Sequence, residues 1–422
     1  MARLKGAIFS LRDVVVRSGA VDKKLASEVG KLIRWLDHVG VQPVFVSNHQ
    51  WVAKLPDGST KDLKAVLLQQ WGAMPWYIAS NGDMPYKPSA NAMGYVLNKH
   101  GWKAHEAIYV GNTKDDMLTA VNGNLLFFNA VWHGEANPYG YQFDSPLDVA
   151  RFIDCFCLGI DDWFWKVEIG DLRVYALGPF STKSPQYAEA QQYSAHARET
   201  AKHWGGDGTF WGRLLAGRVY LSGLGNEIDY IAPYPGHSTK SKQPVISKAL
   251  TILAKSLRKK YLPDLIVRHT TAPKSQTVRI QGKTVDPLDQ LNTICLKPRP
   301  TKNEKGDVYV NPPLKRGKCI LVVDDICTEG NAFETARAYI ENTGATAICL
   351  AWLKTPNRDY YAFSQRPKLA PYQANKITSA PKRTTYSFSQ HICNQQATTD
   401  LGQVFERYYS WKWPIHKPLR SS

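Results

Sequence analysis

The residues best placed to do chemistry lie between Lys318 and Arg337. A short apolar, β-branched run, Cys319–Val323, reads as a buried strand and ends in two adjacent carboxylates, Asp324 and Asp325. A polar loop follows, Thr328, Glu329, Gly330, Asn331 and Ala332, and the pattern over 332–342 is helical, stopping near Gly344. Carboxylates at a strand end can accept hydrogen bonds from ribose hydroxyls. Backbone N–H groups at the start of a helix can hold a phosphate. The layout therefore suits a phosphorylated ribose. A second candidate anion site is the turn Pro233-Tyr234-Pro235-Gly236-His237-Ser238-Thr239-Lys240. There Gly236 lets the backbone approach an anion, Ser238 and Thr239 donate, and Lys240 supplies charge.

The stretch around Asp324 and Asp325 resembles the phosphoribosyl-pyrophosphate (PRPP) signature of type I phosphoribosyltransferases: four apolar residues, two acids and a phosphate loop. The resemblance implies that Asp324 and Asp325 grip the ribose 2′ and 3′ hydroxyls, with Mg2+ bound alongside PRPP. It also implies that Thr328, Glu329, Gly330, Asn331 and Ala332 hold the 5′-phosphate. Glu329 and Ala332 stand where the family has hydroxyl residues. A carboxylate beside a phosphate is repulsive, so Glu329 is expected to turn outward and pair with a base such as Arg337 or Lys354. Within that family the competence-protein type is the most similar. Its Pro-x-Pro turn, matched at 233–240, contacts pyrophosphate and would enlist Gly236, His237, Ser238 and Lys240. Its flexible loop is matched in order by Arg268, Thr271, Gln276 and Asn292, with Arg268 in a catalytic role. An exposed basic lid has the same composition, and the two readings weigh equally here.

Residues 1–160 resemble the haloacid-dehalogenase (HAD) superfamily, whose four motifs fall in order. Ile8–Asp13 matches the first, Val44–Asn48 the second, Lys87 the third and Tyr109–Asp116 the fourth. The resemblance implies a phosphate site at Ser10, Arg12, Ser47, Lys87, Asn112 and Asp116. The family's two motif-one carboxylates are replaced by Ser10 and Arg12, and Asn112 replaces a metal-binding acid. Ser10 neither ligates a metal nor attacks phosphorus unaided, so a catalytically degenerate domain is expected, either a phosphate sensor or a scaffold.

Apolar strands alternating with amphipathic helices position these residues, which predicts an α/β protein of two doubly wound parallel-sheet domains with sites at the strands' C-terminal ends. The expected divisions are 1–160, HAD-like; 161–365, phosphoribosyltransferase-like; and 366–422, a basic, aromatic extension. Asp161–Tyr175 reads as one strand and Asp264–Val267 as another, and Cys319–Val323 and the following strand Ala347–Leu353 complete the sheet. The extension ends in Phe405–Trp413; its aromatics either pack back on the protein or offer a surface to single-stranded nucleic acid or a partner.

The 422 residues, 43% hydrophobic and 21% charged, are those of a globular protein. No apolar run reaches membrane-spanning length and no signal-peptide core opens the chain, so no membrane partner is expected. Seven cysteines without framework spacing suggest a reducing, cytoplasmic setting, with Cys155 and Cys157 in a core. The net charge of +17 is uneven: residues 1–160 carry 16 Lys/Arg against 14 Asp/Glu, leaving 37 against 22 beyond them. That field suits PRPP, a nucleotide or nucleic acid. A homo-oligomer and a partner protein are also expected. A HAD-like domain joined to a phosphoribosyltransferase-like domain looks like proteins of bacterial stress-response and antiviral (phage) defence operons. Two functions follow: transfer or cleavage at ribose C1, or a non-enzymatic module that binds nucleotide, nucleic acid or a partner protein.

Overall fold

The computed structural model describes residues 3–17, 20–54, 58–133, 136–159, 162–203, 205–240, 244–273, 286–303 and 305–414. It contains two six-stranded sheets. The first is built from β1 (Gly6–Ser10), β2 (Gln42–Ser47), β3 (Trp76–Ile78), β4 (Ala107–Gly111), β5 (Leu126–Ala130) and β6 (Gln142–Phe143), in the order β6-β5-β4-β1-β2-β3 and parallel throughout. β1, β4 and β5 are buried along their whole length, as strands covered on both faces must be. The crossovers are α1 (Lys23–His38), α2 (Leu63–Trp71), α3 (Ala90–His100) and α4 (Lys114–Asn122), with α5 (Pro146–Phe156) leading out. α4 starts with a reciprocal cap between Thr113 and Asp116.

The second sheet has β7 (Trp165–Ile169), β8 (Leu172–Pro179), β9 (Tyr230–Pro233), β10 (Lys260–Tyr261), β11 (Cys319–Cys327) and β12 (Thr346–Lys354), in the order β7-β8-β12-β11-β9-β10. Only the β7–β8 pairing is antiparallel. Both sheets thus match the expected class, with three corrections. Asp161–Tyr175 is not one strand: Gly170, at φ +55°, and Asp171 turn the chain, and β7 and β8 form a hairpin. The strand expected over Asp264–Val267 lies at Ile266–Arg268 and pairs with Ile294–Leu296 in a separate ribbon outside the main sheet. β11 also runs past Val323 to Cys327, so Asp324 and Asp325 lie inside the strand.

The surrounding helices are α6 (Ala190–Arg198), α7 (Gly208–Leu221), α8 (Pro244–Leu257), α9 (Asn331–Glu341) and α10 (Ala397–Ser410). One apolar cluster runs through both sheets' flanks, from Leu4 through Phe152 and Trp211 to Tyr408. At its centre the rings of Trp211 on α7 and Trp352 on β12 stack 4.8 Å apart and 4° from parallel. The extension packs back: Phe405 and Tyr408 meet Phe210, while Trp411 and Trp413 meet Trp35 on α1. Its Arg383–Tyr386 segment pairs with Tyr360–Phe363. All seven cysteines are free, and burial raises Cys155 to about 11. No described helix is long and apolar enough to cross a membrane.

Candidate functional site

β9 stops at Pro233, opposite Val323, so beyond that point β11 is paired only with β12. A crevice opens there, at the C-terminal ends of parallel strands, where ligands of such sheets bind. Asp324 and Asp325 occupy this half-paired stretch, and both are half-buried. The Asp325 N–H donates to Asp324 Oδ1 at 2.9 Å and the Ile326 N–H to Asp325 Oδ1 at 2.8 Å. Each carboxylate thus spends one oxygen on the N–H of the next residue.

The loop after β11 is held from three sides. Lys354, at the end of β12 and fully buried, donates to the carbonyls of Thr328 (2.6 Å), Thr355 (3.4 Å) and Arg358. Its ammonium also faces the Trp165 ring at 5.2 Å. Gly330 caps α9 at φ +87°, and a Cβ there would come within 2.3 Å of the Tyr360 ring. Tyr360 is fixed by donating to Glu334 Oε1 at 2.6 Å. From the extension, Arg383 Nη1 donates to Asn331 Oδ1 at 3.2 Å. No side chain caps the first turn of α9. Glu329 does turn to a base, but neither of those expected: Arg358 Nη1 lies 3.9 Å from its Oε1. Arg337 is taken by Glu334 and Glu341, and Lys354 by carbonyls.

Across the crevice, the Pro233–Lys240 turn is braced by Arg268. This residue is 8% exposed; its Nε donates to the Gly236 carbonyl, Nη1 to Thr293 Oγ1 (2.6 Å) and Nη2 to Gln290 Oε1 (2.9 Å). Tyr234 OH donates to Gln290 Oε1 at 2.7 Å; burial pushes this hydroxyl up, Arg268 opposes that, and the nearby Asp324 adds to it. Arg268 therefore holds the turn in place through Gly236 while its other nitrogens bind Thr293 and Gln290. The His237 carbonyl accepts from Ala272 N at 2.9 Å, and Lys240 N donates to Ser238 Oγ at 3.2 Å. Asn292 does not join the crevice: it exchanges two hydrogen bonds with the backbone of Ile377 in the extension. Thr271 is exposed, and Gln276 lies outside the described residues.

In the first sheet, Lys87 Nζ, buried, donates to Ser10 Oγ (3.1 Å), Tyr109 OH (2.9 Å) and Asp116 Oδ1 (2.9 Å). All three ammonium protons are thereby used. Asp116 Oδ2 accepts from the N–H groups of Asn112 (3.3 Å) and Thr113 (3.2 Å) and from Thr113 Oγ1 (2.9 Å). Burial pushes the Asp116 carboxyl up, but Lys87 and the hydroxyl donors outweigh it and hold the carboxyl below its usual range. Asn112 turns its amide to the Ala130 carbonyl at 2.6 Å. Arg12 and Ser47 do not share the Lys87 knot: Arg12 lies over the Trp51 ring at 6.0 Å, and Trp51 Nε1 donates to Ser47 Oγ at 3.0 Å. Among the described residues no group of three His, Cys, Asp or Glu side chains could hold a metal.

Sequence reasoning gave no site role to Tyr109, Tyr360, Arg358 and Arg383, and gave Lys354 a carboxylate partner where it binds carbonyls. Tyr109 and Lys354 had a signal, since each puts a polar group in an otherwise apolar strand. Arg358 lies outside any strand or helix, and Tyr360 and Arg383 open the paired segments Tyr360–Phe363 and Arg383–Tyr386, whose separation in sequence no local pattern bridges.

No family profile matches the chain. A phosphoglycolate phosphatase of Vibrio parahaemolyticus is 27% identical over 88 residues, 20% of this chain and 36% of that protein. The chain thus spans about a third of that relative's length. A HAD-superfamily hydrolase of Geobacter sulfurreducens is similar over 36% of this chain and 97% of its own, at 15% identity and a TM-score of 0.25. The cobalt-bound form of the deoxy-D-mannose-octulosonate 8-phosphate phosphatase of Haemophilus influenzae is similar over 36% and 84%, at 12% identity and a TM-score of 0.26. The Vibrio relative matches a fifth of the chain, and the all-parallel order of the first sheet is that of a doubly wound α/β fold.

Proposed function

We propose that the second sheet binds PRPP or a nucleotide in the crevice beyond β11 and transfers or cleaves at ribose C1. The observation that carries this reading is the continuity of Asp324 and Asp325 with Gly330 and the uncapped first turn of α9. Carboxylates for vicinal hydroxyls and backbone N–H groups for a phosphate lie in one stretch facing one crevice. Gly236–Lys240, held by Arg268, would meet the pyrophosphate. The transition state of such a transfer is oxocarbenium-like, so positioning and charge stabilisation carry the catalysis. The oxygen donors of Asp324 and Asp325 suit Mg2+ only in company with ligand phosphates, since two carboxylates fall short of a dedicated site. When bound, the ion would offset the charge of the pyrophosphate leaving group.

In this reading the HAD-like domain, 1–160, is inert and serves as a scaffold, the second domain spans 161–365, and 366–422 is an extension that completes the site. Support for inertness comes from Ser10 at the nucleophile position and from the Lys87–Asp116 pair that spends both charges on each other. The purified protein should show no Mg2+-dependent hydrolysis of p-nitrophenyl phosphate; turnover that disappears in Ser10→Ala would refute inertness.

The decisive experiment is calorimetry of PRPP with the double variant Asp324→Asn/Asp325→Asn. Binding should be lost while the unfolding midpoint shifts little, because the two carboxylates are half-buried and accept from adjacent backbone, as the asparagine carbonyl also can. Unchanged affinity would refute the site.

A further inference from the structure

We infer that the opposite end of the second sheet, where its parallel strands begin, is a docking face for single-stranded nucleic acid. This face is independent of the PRPP reading. It collects Tyr230 at the start of β9, Lys260 in β10, Cys319 at the start of β11, and residues 297–303 and 305–318. Several contacts join them. Tyr230 pairs with Lys260, the ring of Tyr309 meets the Tyr230 ring edge-on at 6.4 Å, and Thr346 at the start of β12 donates its N–H to the Lys318 carbonyl.

Among the described residues this face carries more cations than its acids pair with. Its acids are mostly spent: Asp229 accepts from Lys318 Nζ at 2.8 Å, Asp264 from Lys297, and Glu227 from Arg173 at 2.6 Å. Among the described residues Glu227 and Asp307 stay exposed, Asp307 bonded to Asn303. Against them stand Lys260, Arg299, Lys302, Lys305, Lys315 and Arg316, all exposed and, among the described residues, without an ion pair. Six cations left unpaired on one face repel one another, and a polyanion would relieve that repulsion.

The same loop exposes apolar surface. Val308 is 50% and Val310 79% exposed, on either side of the half-buried Tyr309. Apolar side chains raised among lysines fit the faces of unstacked bases, which a duplex keeps inside its stack. That combination selects a single strand over a duplex and over an acidic protein, for which exposed lysines alone would serve.

The test is fluorescence anisotropy of the full chain with labelled homothymidine and homouridine oligonucleotides, at several salt concentrations and with an unlabelled duplex as competitor. The triple variant Lys302→Glu/Lys305→Glu/Lys315→Glu should bind at least tenfold more weakly. It should also reduce the slope of log affinity against log salt by about 2, at roughly 0.7 for each single-strand phosphate that is no longer neutralised. Val308→Ser/Val310→Ser should weaken binding with the slope unchanged. Neither set touches the crevice beyond β11, so PRPP calorimetry separates failure of this face from failure of the catalytic site. Tighter binding of the DNA or of the RNA strand would name the sugar preferred, and both support the face. No binding at low salt, charge reversal without effect, or preference for the duplex would overturn it.

Discussion

Glu329 and Arg358 sit beside the first turn of α9, where a phosphate would arrive, 3.9 Å apart and with Arg358 more than half exposed. An exposed pair at that distance contributes roughly 0.2–1 kcal/mol. A carboxylate near a phosphate dianion costs about 1 kcal/mol per charge pair at 4 Å even in water, and more when partly shielded from it. Repulsion therefore exceeds the ion pair. Glu329→Thr should tighten PRPP binding by roughly three- to tenfold, an effect that shrinks as salt rises, and Arg358→Ala should weaken it. Calorimetry at two salt concentrations measures both, and weaker binding by Glu329→Thr would show that Glu329 contacts the ligand favourably. The charge logic at this residue was readable from sequence; its partner was not, because Arg358 follows a different strand.

At the scale of elements, α9 starts where Gly330 lets it. A left-handed φ costs a non-glycine residue about 1 kcal/mol, and a Cβ at Gly330 would come within 2.3 Å of Tyr360, whose ring cannot retreat while it holds Glu334. Gly344 has nearly the same φ, +84°, but its nearest neighbour would be at 3.4 Å. Chemical denaturation should therefore find Gly344→Ala destabilised by about 1 kcal/mol and Gly330→Ala by about 2–4 kcal/mol. Equal losses would mean that Tyr360 yields. Apolar runs revealed the strands and helices of both sheets well, because buried parallel strands advertise themselves. The errors had local and distant causes. The Gly170-Asp171 turn was a legible hairpin signal between two alternating runs. The removal of Ile266–Arg268 to its own ribbon was not legible, since its partner at Ile294–Leu296 lies beyond a long intervening segment. The bracing of the Pro233–Lys240 turn by Arg268 was not legible either, since its acceptors, Gly236, Gln290 and Thr293, are 22–32 residues away.

Across the whole molecule, the two sheets are joined by a buried ion pair. Arg213 on α7 donates from Nη1 to Asp148 Oδ1 on α5 at 2.8 Å and from Nε to Tyr141 OH at 2.9 Å, with its guanidinium 5.3 Å from the Tyr141 ring centre. Burial would raise the Asp148 carboxyl, but Arg213 prevails and holds it below its usual range. A depressed carboxyl stabilises the fold above its unfolded value, near 3.9, and that contribution fades as pH falls through the lower folded value. Asp148→Ala leaves Arg213 buried without its counter-charge and should cost about 3–5 kcal/mol at neutral pH, while Asp148→Leu/Arg213→Leu costs less. Below about pH 4 the deficit of Asp148→Ala relative to the parent should narrow; a deficit independent of pH would assign the loss to packing. The same junction contains the stacked indoles of Trp211 and Trp352. Two identical chromophores at that separation couple their electronic transitions, so the pair should produce a split near-ultraviolet circular dichroism band of which neither indole is capable singly. Replacing either by Phe would abolish both lobes at once, which makes the junction between α7 and β12 visible by optical spectroscopy without any label.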